Sequence, residues 1–514
     1  MADIGTILDL IDVCVKVVKA INEYNGVDGH LKDTLRNLET SALRFGTLSD
    51  VMDRLRRKHV LYSPVKEDAE NSVSLASDAL DQANCVIKDW KRKLEVKARV
   101  KQSFNKAKYA FQGKGDVEEH IVSLRDSNKN LHEGIQLIPF CTRDTREIAD
   151  TGVIDFLKDA LGRAASGREP SAMNSFGDYT MYEDEAAVEF RRAQTGDLVY
   201  ELFISKSHSM RIATLLSGSR PRTSTGKGKD NAFIALPRCK WIGFHSDSFV
   251  FELPVPNAAP NSLLAHLIDS ETSYTLESRV ALALHLARAV LVIHSLGLVH
   301  KNIRSDTIVV LATDRSQPGV LGVPCILGWG AARDEDEESG MSGLPMPYFE
   351  AGFDASIYRH PKHYVERRTE RMQMRDDVYS LGVCLLEIAL WKPLASTRHD
   401  FSGPMLSQMR DIRQMSGGSR KADGELTRRL VDIAKKWVPV TMGSVFTHVV
   451  VTCLECWDED AEDRDENDYD DDDEEEDLRR HLSREAQISI KFSRRVVKKL
   501  ARMHAGVTPR KEET

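Results

Sequence analysis

Cysteine is sparse in this sequence and shows no paired pattern: its eight residues, at positions 14, 85, 141, 239, 325, 384, 453 and 456, fall mostly inside apolar runs. That spacing excludes a disulfide framework and implies reduced thiols in a cytoplasmic setting. The C-x-x-C at 453–456 ("CLEC") has no second pair and helical surroundings, so it does not read as a zinc or redox site. An early basic region ahead of an apolar core is also missing. The first residues instead place acids at 3, 9 and 12, which is not the pattern of a secretory leader. No uncharged apolar run reaches membrane length: the nearest, "VALALHLARAVLVIHSLGLV" (280–299), is interrupted by His285, Arg288 and His294 and reads as a buried helix. Zinc-finger, RNA-binding aromatic and basic-zipper motifs are lacking, so no nucleic-acid partner is expected.

What is present suits a globular protein: 514 residues, 41% apolar and 29% charged, enough for two to four domains and a sizeable core. The net charge of −8 is unevenly spread. Residues 458–477, "DEDAEDRDENDYDDDDEEED", hold 16 acids and one Arg, so the remainder of the chain is near +7. A block of this kind reads as a solvated insertion or interaction segment. The opposite extreme is 88–108, "KDWKRKLEVKARVKQSFNKAK", with nine Lys/Arg against two acids and with Trp90 and Phe104 interspersed.

Residues 1–140 read as helical throughout. Ile4, Ile7, Leu8, Ile11, Val15, Val18 and Ile21 recur at helical spacing, and "NGVDG" (25–29) breaks the run. Leu31, Leu35, Leu38, Leu43 and Phe45 start a second apolar stripe. A third helix is expected over 65–95 after Pro64, and a fourth after "QGKGD" (112–116), which together fit a four-helix bundle. Residues 141–189 read as a polar linker. From 190 the texture turns to strands, "DLVYELFI" (197–204) and "DSFVFELPVP" (247–256), separated by a flexible loop at 220–231. Beyond 275 the chain is mainly helical, with short strands at 307–312 and 324–327. The fold class is therefore α+β: a helical bundle, then a strand-rich part and a larger helical part.

Five landmarks in the second half fall in a fixed order: "FVFELP" (249–254), the helix and loop "LESRVALALHLARAVLVIHSLGLVHKNIRSDTIVV" (276–310), "CILGWGAAR" (325–333), "YRHP" (358–361) and "RDDVYSLGVCLLEIALWKPL" (375–394). Together they resemble a protein-kinase domain spanning about 190–505: hinge, catalytic loop, metal-binding turn, activation-segment anchor and core helix. The resemblance implies a two-lobed fold in which His300, Gly330, Pro361 and Asp377 occupy structural positions.

The departures from that family are chemical. Asn302 stands where the base Asp belongs, and an amide cannot take the proton of a substrate hydroxyl. Thr307 replaces the metal-binding Asn, and Gly328 replaces the Asp of D-F-G, so both metal ligands are substituted. Arg304 keeps a cation where a Lys commonly sits. No Gly-rich phosphate loop is evident: "GKGK" (226–229) reads as a solvated turn. Lys206 is a poor match to the strand Lys, and Phe203 falls at its position. The resemblance therefore implies a catalytically dead homologue with weak or absent binding of ATP and Mg²⁺, and with no cofactor.

The stretches "MADIGTILDLIDVCVKVVKAI" and "KAKYAFQGKGDVEEHIVSLRDSNKNLHEGI", with the Cys239-containing "LPRCKWIGFHSDSFVFELP", resemble HeLo and HeLo-like domains of fungal heterokaryon-incompatibility and prion-inhibition proteins, and the layout of the mixed-lineage-kinase-like necroptosis effector. That likeness implies incompatibility- or cell-death-type signalling through the bundle, with protein partners, a possible homo-oligomer, and peripheral contact of 88–108 with anionic membrane lipids. In this reading the acidic segment could mask the basic surface of the bundle. Two other function classes compete: a pure protein–protein scaffold with no membrane role, and an unconventional active Ser/Thr-type kinase that would need a relocated base such as Asp306.

Overall fold

The computed structural model describes residues 4–22, 29–57, 63–99, 114–136, 151–165, 171–172, 190–192, 198–202, 206–218, 235–243, 248–252, 260–269, 273–311, 319–334, 355–360, 373–394, 423–455 and 484–507. The chain divides into two compact units, residues 1–143 with 470–486, and residues 144–469 with 487–514. The described residues are predominantly helical with small sheets.

In the first unit, α1 (Ile4–Asn22), α2 (Gly29–Arg57), α3 (Ser63–Arg99) and α4 (Lys114–Gln136) form a bundle in which α1 and α4 each pack on both α2 and α3. Pro64 sits in the first turn of α3, where a missing N–H costs nothing. Ile7, Cys14, Val18 and Ile21 of α1 are fully buried, the 3-4 spacing of one apolar stripe. Two buried amides tie the helices across the core: Asn84 Nδ2 donates to the Leu10 carbonyl (2.8 Å) and Asn128 Nδ2 to the Ser41 carbonyl (2.9 Å). The basic stretch 88–108 begins on α3, and there the expectation needs correcting. Trp90 is buried, because it continues the Ala76–Leu80–Ala83–Ile87 stripe, and it is not presented to an interface as an interleaved aromatic. Lys88 and Arg92 are exposed, whereas Phe104 lies outside the described residues.

The second unit opens with a helix inside the segment expected to be a linker. α5 (Thr151–Ala165) buries Val153, Phe156, Leu157, Ala160 and Leu161, a helical stripe whose short length is masked in sequence by polar flanks. β1 (Ser171–Ala172), β2 (Phe190–Arg192), β3 (Leu198–Leu202), β4 (Arg238–Gly243) and β5 (Ser248–Glu252) make a five-stranded sheet in the order β1-β4-β5-β3-β2. All pairs are antiparallel except β1 with β4. Phe249, Val250 and Phe251 are all fully buried, so β5 is covered on both faces. Between β3 and β4 lies α6 (Lys206–Leu216), packed on β4 and on α5. Arg163 of α5, ion-paired with Asp159, donates to the α6 carbonyls of Thr214 (3.4 Å) and Leu215 (3.2 Å), satisfying groups a helix C-terminus leaves open. A Cβ at Gly218 would collide with that guanidinium.

The helical part contains α7 (Leu263–Ile268), α8 (Leu276–Ser295), α9 (Met374–Leu390), α10 (Asp423–Glu455), α11 (Arg484–Phe492) and α12 (Lys498–Val507). β6 (Pro260–Ser262), β8 (Ile308–Leu311) and β9 (Val323–Ile326) form one small antiparallel sheet, and β7 (Leu298–Val299) pairs with β10 (Arg333–Asp334). The 280–299 run is the interior of this part: Val280, Ala283, Leu286, Val290 and Ile293 are fully buried, each large side chain contributing roughly 1.5–3 kcal/mol. Gly382 lets α9 approach α10 closely, since a Cβ there would lie 2.8 Å from the Cys453 Cβ. By length and composition the stretch Glu425–Glu455 of α10 could cross a membrane, but the helix is kinked at Gly443 (φ +84°), four residues after Pro439.

Candidate functional site

The loop after β7 is built around one carboxylate. α9 starts where the Gln373 N–H donates to Asp376 Oδ2 (2.7 Å), a capping arrangement that fixes its first turn. The next residue, Asp377, is fully buried beneath the loop. Its Oδ2 accepts the His300 N–H (2.7 Å) and lies 3.4 Å from His294 Nε2, while its Oδ1 accepts the Lys301 N–H (2.8 Å). Lys301 is held at φ +67°, a left-handed conformation costing roughly 1–2 kcal/mol for a side-chain-bearing residue. The two bonds to Asp377, from the His300 N–H and from Lys301's own N–H, offset the strain. The buried His300 ring stands edge-on to Trp329 at 4.7 Å between centroids.

The structure brings Asn302 and Gly328 together. Asn302 Nδ2 reaches the Gly328 carbonyl at 3.5 Å, the long end of hydrogen bonding. Gly328 has φ +94°, and a Cβ placed there would sit 2.6 Å from Asn302 Nδ2 and 3.2 Å from the Asn302 carbonyl. Thr307 is turned inward: its hydroxyl donates to the Asn302 carbonyl (2.8 Å) and accepts the Arg304 N–H (3.2 Å). Arg304 and Asp306 form a buried two-bond pair, Nε–Oδ1 2.9 Å and Nη2–Oδ2 3.0 Å. Asp306 is thus committed to its neighbour's guanidinium.

Below this loop lies a polar cluster that sequence reasoning missed. Glu387, fully buried on α9, accepts the Leu394 N–H (2.7 Å) and the Tyr358 hydroxyl, which lies 2.9 Å from both carboxyl oxygens. Ser305 Oγ sits 2.7 Å from the Tyr358 hydroxyl. Loss of water pushes Glu387 up to about 8, despite the lowering effect of its Leu394, Tyr358 and Ser305 hydrogen bonds. The same burial, with Glu387 beside it, raises Tyr358 and Cys384 well above their ordinary values. The sequence signal was a lone acid in the apolar run from Val378 to Trp391.

Of the remaining positions, Gly330 lies in a 3-10 turn, Trp329–Ala331, whose Trp329 Nε1–H donates to the Ile326 carbonyl (2.9 Å). Lys206 begins α6 and is therefore on a helix rather than a strand. Phe203, the 226–229 turn, Pro361 and the acidic segment 458–477 lie outside the described residues. Among the described residues no group of three His, Cys, Asp or Glu side chains is placed to hold a metal ion. No protein-family model matches the sequence, and no curated protein is significantly similar to it.

Proposed function

We propose that the chain is a pseudokinase-type signalling scaffold: a helical bundle joined to a two-lobed, kinase-like unit whose catalytic positions have become structural ones. The observation that carries this reading is the Asn302–Gly328 contact. The two positions where phosphoryl transfer needs carboxylates are occupied by an amide and a glycine that touch each other. Thr307 supports it by spending its hydroxyl inside the loop. α6, "KSHSMRIATLL", carries no carboxylate, so the Lys–Glu pair that aligns phosphates in active kinases has no acidic member on this helix. A relocated base at Asp306 is disfavoured by its buried pairing with Arg304. The signalling output assigned to the bundle, of incompatibility or cell-death type, rests on its resemblance to HeLo-like domains.

Isothermal titration of the full chain with Mg-ATP tests the kinase-like half of this reading. The expected result is no saturable heat in the micromolar range. Micromolar, magnesium-dependent binding would overturn it and favour an unconventional active kinase.

A further inference from the structure

One face of α3 stays outside the bundle core, and its charges are ordered. The helix packs on α1 and α4, with Ala76, Leu80, Ala83, Ile87 and Trp90 buried. On the other side Asp78, Asp81, Cys85, Lys88 and Arg92 are exposed. Successive residues of an α-helix turn by about 100°, so all five lie within about 60° of the direction set by Cys85. They form a single stripe. Its acids precede Cys85 and its cations follow it: Asp78 and Arg92 are each seven residues away, Asp81 four and Lys88 three. Along the axis the outer charges stand about 10 Å to either side of Cys85 and the inner ones about 5 Å. Among the described residues none of these four side chains is ion-paired. Asp89, the acid on the basic half, is half-buried and already engaged within the chain.

A stripe that is acidic before a point and basic after it is complementary to itself turned end for end. A twofold axis beside Cys85 sets Asp78 against Arg92 of a second copy and Asp81 against its Lys88, and each pair occurs twice. A parallel alignment in register sets acid on acid and cation on cation, which is repulsive. The acidic half has the wrong sign for an anionic lipid surface, so the whole stripe suits a second copy better than a membrane.

We propose that α3 is a self-association surface, pairing two copies of this chain antiparallel with their Cys85 side chains facing each other. Helix axes about 9 Å apart, with Cα atoms about 2.3 Å from each axis, leave the two Cys85 Cα atoms about 5 Å apart, within disulfide reach. Exposed ion pairs are individually weak and screened by salt, so four of them give a reversible, salt-sensitive dimer. The stripe belongs wholly to the first unit, and the pairing does not depend on what the second unit does.

The test uses the full chain carrying Cys141→Ser and Cys456→Ser, in which Cys85 is the exposed thiol among the described cysteines. Oxidation with copper–phenanthroline at about 50 mM salt is expected to give a covalent dimer, and mass spectrometry to find Cys85 joined to Cys85. The linking rate, normalised to alkylation of Cys85 by iodoacetamide, should fall at least about tenfold at about 0.5 M salt. Two reversals test the charge pattern: Asp78→Lys/Asp81→Lys makes the stripe wholly basic, and Lys88→Asp/Arg92→Asp makes it wholly acidic. Each variant alone is expected to lose at least about tenfold in normalised rate, and an equimolar mixture to regain it as a heterodimer. All four positions are exposed, so the reversals leave the bundle core intact. Absence of a Cys85–Cys85 link, a rate indifferent to salt and to the reversals, or a mixture no faster than its two components overturns the proposal.

Discussion

Asn302 Nδ2 and the Gly328 carbonyl oxygen lie 3.5 Å apart, and the proposed pseudokinase reading turns on this contact. The double substitution Asn302→Asp/Gly328→Asp brings two carboxylates into this contact and puts a Cβ where φ is +94° and 2.6 Å from the place of Asn302 Nδ2, which a carboxylate oxygen takes in the variant. The variant is expected to lose roughly 1–3 kcal/mol of stability through strain and like-charge contact. It should also show no transfer of labelled phosphate to a generic substrate. Measurable transfer would mean that the missing parts had been only these two carboxylates.

Asp377→Ala removes the acceptor of two buried N–H groups, those of His300 and Lys301. Each donor left unpaired costs roughly 1–3 kcal/mol. The urea midpoint should fall accordingly, and Asp377→Asn, which keeps one carboxamide oxygen, should fall between. An unchanged midpoint for the Ala variant would show that the loop does not depend on this carboxylate.

Glu387 gives the fold a pH dependence. Its folded carboxyl is raised to about 8 from an ordinary 4.5, with Asp306, Tyr358 and Cys384 as the ionisable groups around it. Between those values the unfolded chain releases the proton and the folded chain keeps it. The stabilisation is therefore complete below 4.5, declines as pH rises through the window, and is gone above about 8. Glu387→Gln removes the titration, so its urea midpoint, compared with wild type across this range, should gain steadily with pH. A constant difference between the two proteins would show that Glu387 titrates in its ordinary range.

Tyr358→Phe isolates the hydroxyl that joins Glu387 to Ser305. Removing it leaves a buried carboxyl with only the Leu394 N–H and Ser305 within reach, at an expected cost of about 1–2 kcal/mol by thermal denaturation. Because that hydroxyl holds the carboxyl down, the variant's pH-dependent decline should extend to higher pH than in wild type.

What could be read from the sequence was what periodicity and turn residues encode locally. The α1 stripe, the break at 25–29, the strands near 198–202 and 248–252 and the buried helix at 276–295 all follow from spacing and side-chain type. The expectation for Asp377 comes from the kinase-like resemblance and not from a local pattern; its carboxylate accepts the His300 and Lys301 N–H groups. Glu387 sits in the same helix, but its partners come from residues 305, 358 and 394, and no local pattern announces a meeting of three distant segments. Trp90 shows the opposite failure. Surrounded by lysines in sequence it looks exposed, yet its helical phase matches Ile87 and Ala83 and turns it inward. α5 was missed because one 15-residue helix between polar flanks gives a weak periodic signal, and its stability comes from packing on α6.

The Arg163 contact also decides how little of this chain can travel alone. Cut at residue 190, where composition changes, the second half would leave behind the donor that closes α6 and the apolar stripe of α5 that rests against it. The carbonyls of Thr214 and Leu215 would then have to find water, and an apolar patch would be uncovered for aggregation. A recombination event or gene fusion that kept the landmarks but began at 190 would carry off an incomplete module. One that began near 144 would carry off a whole one.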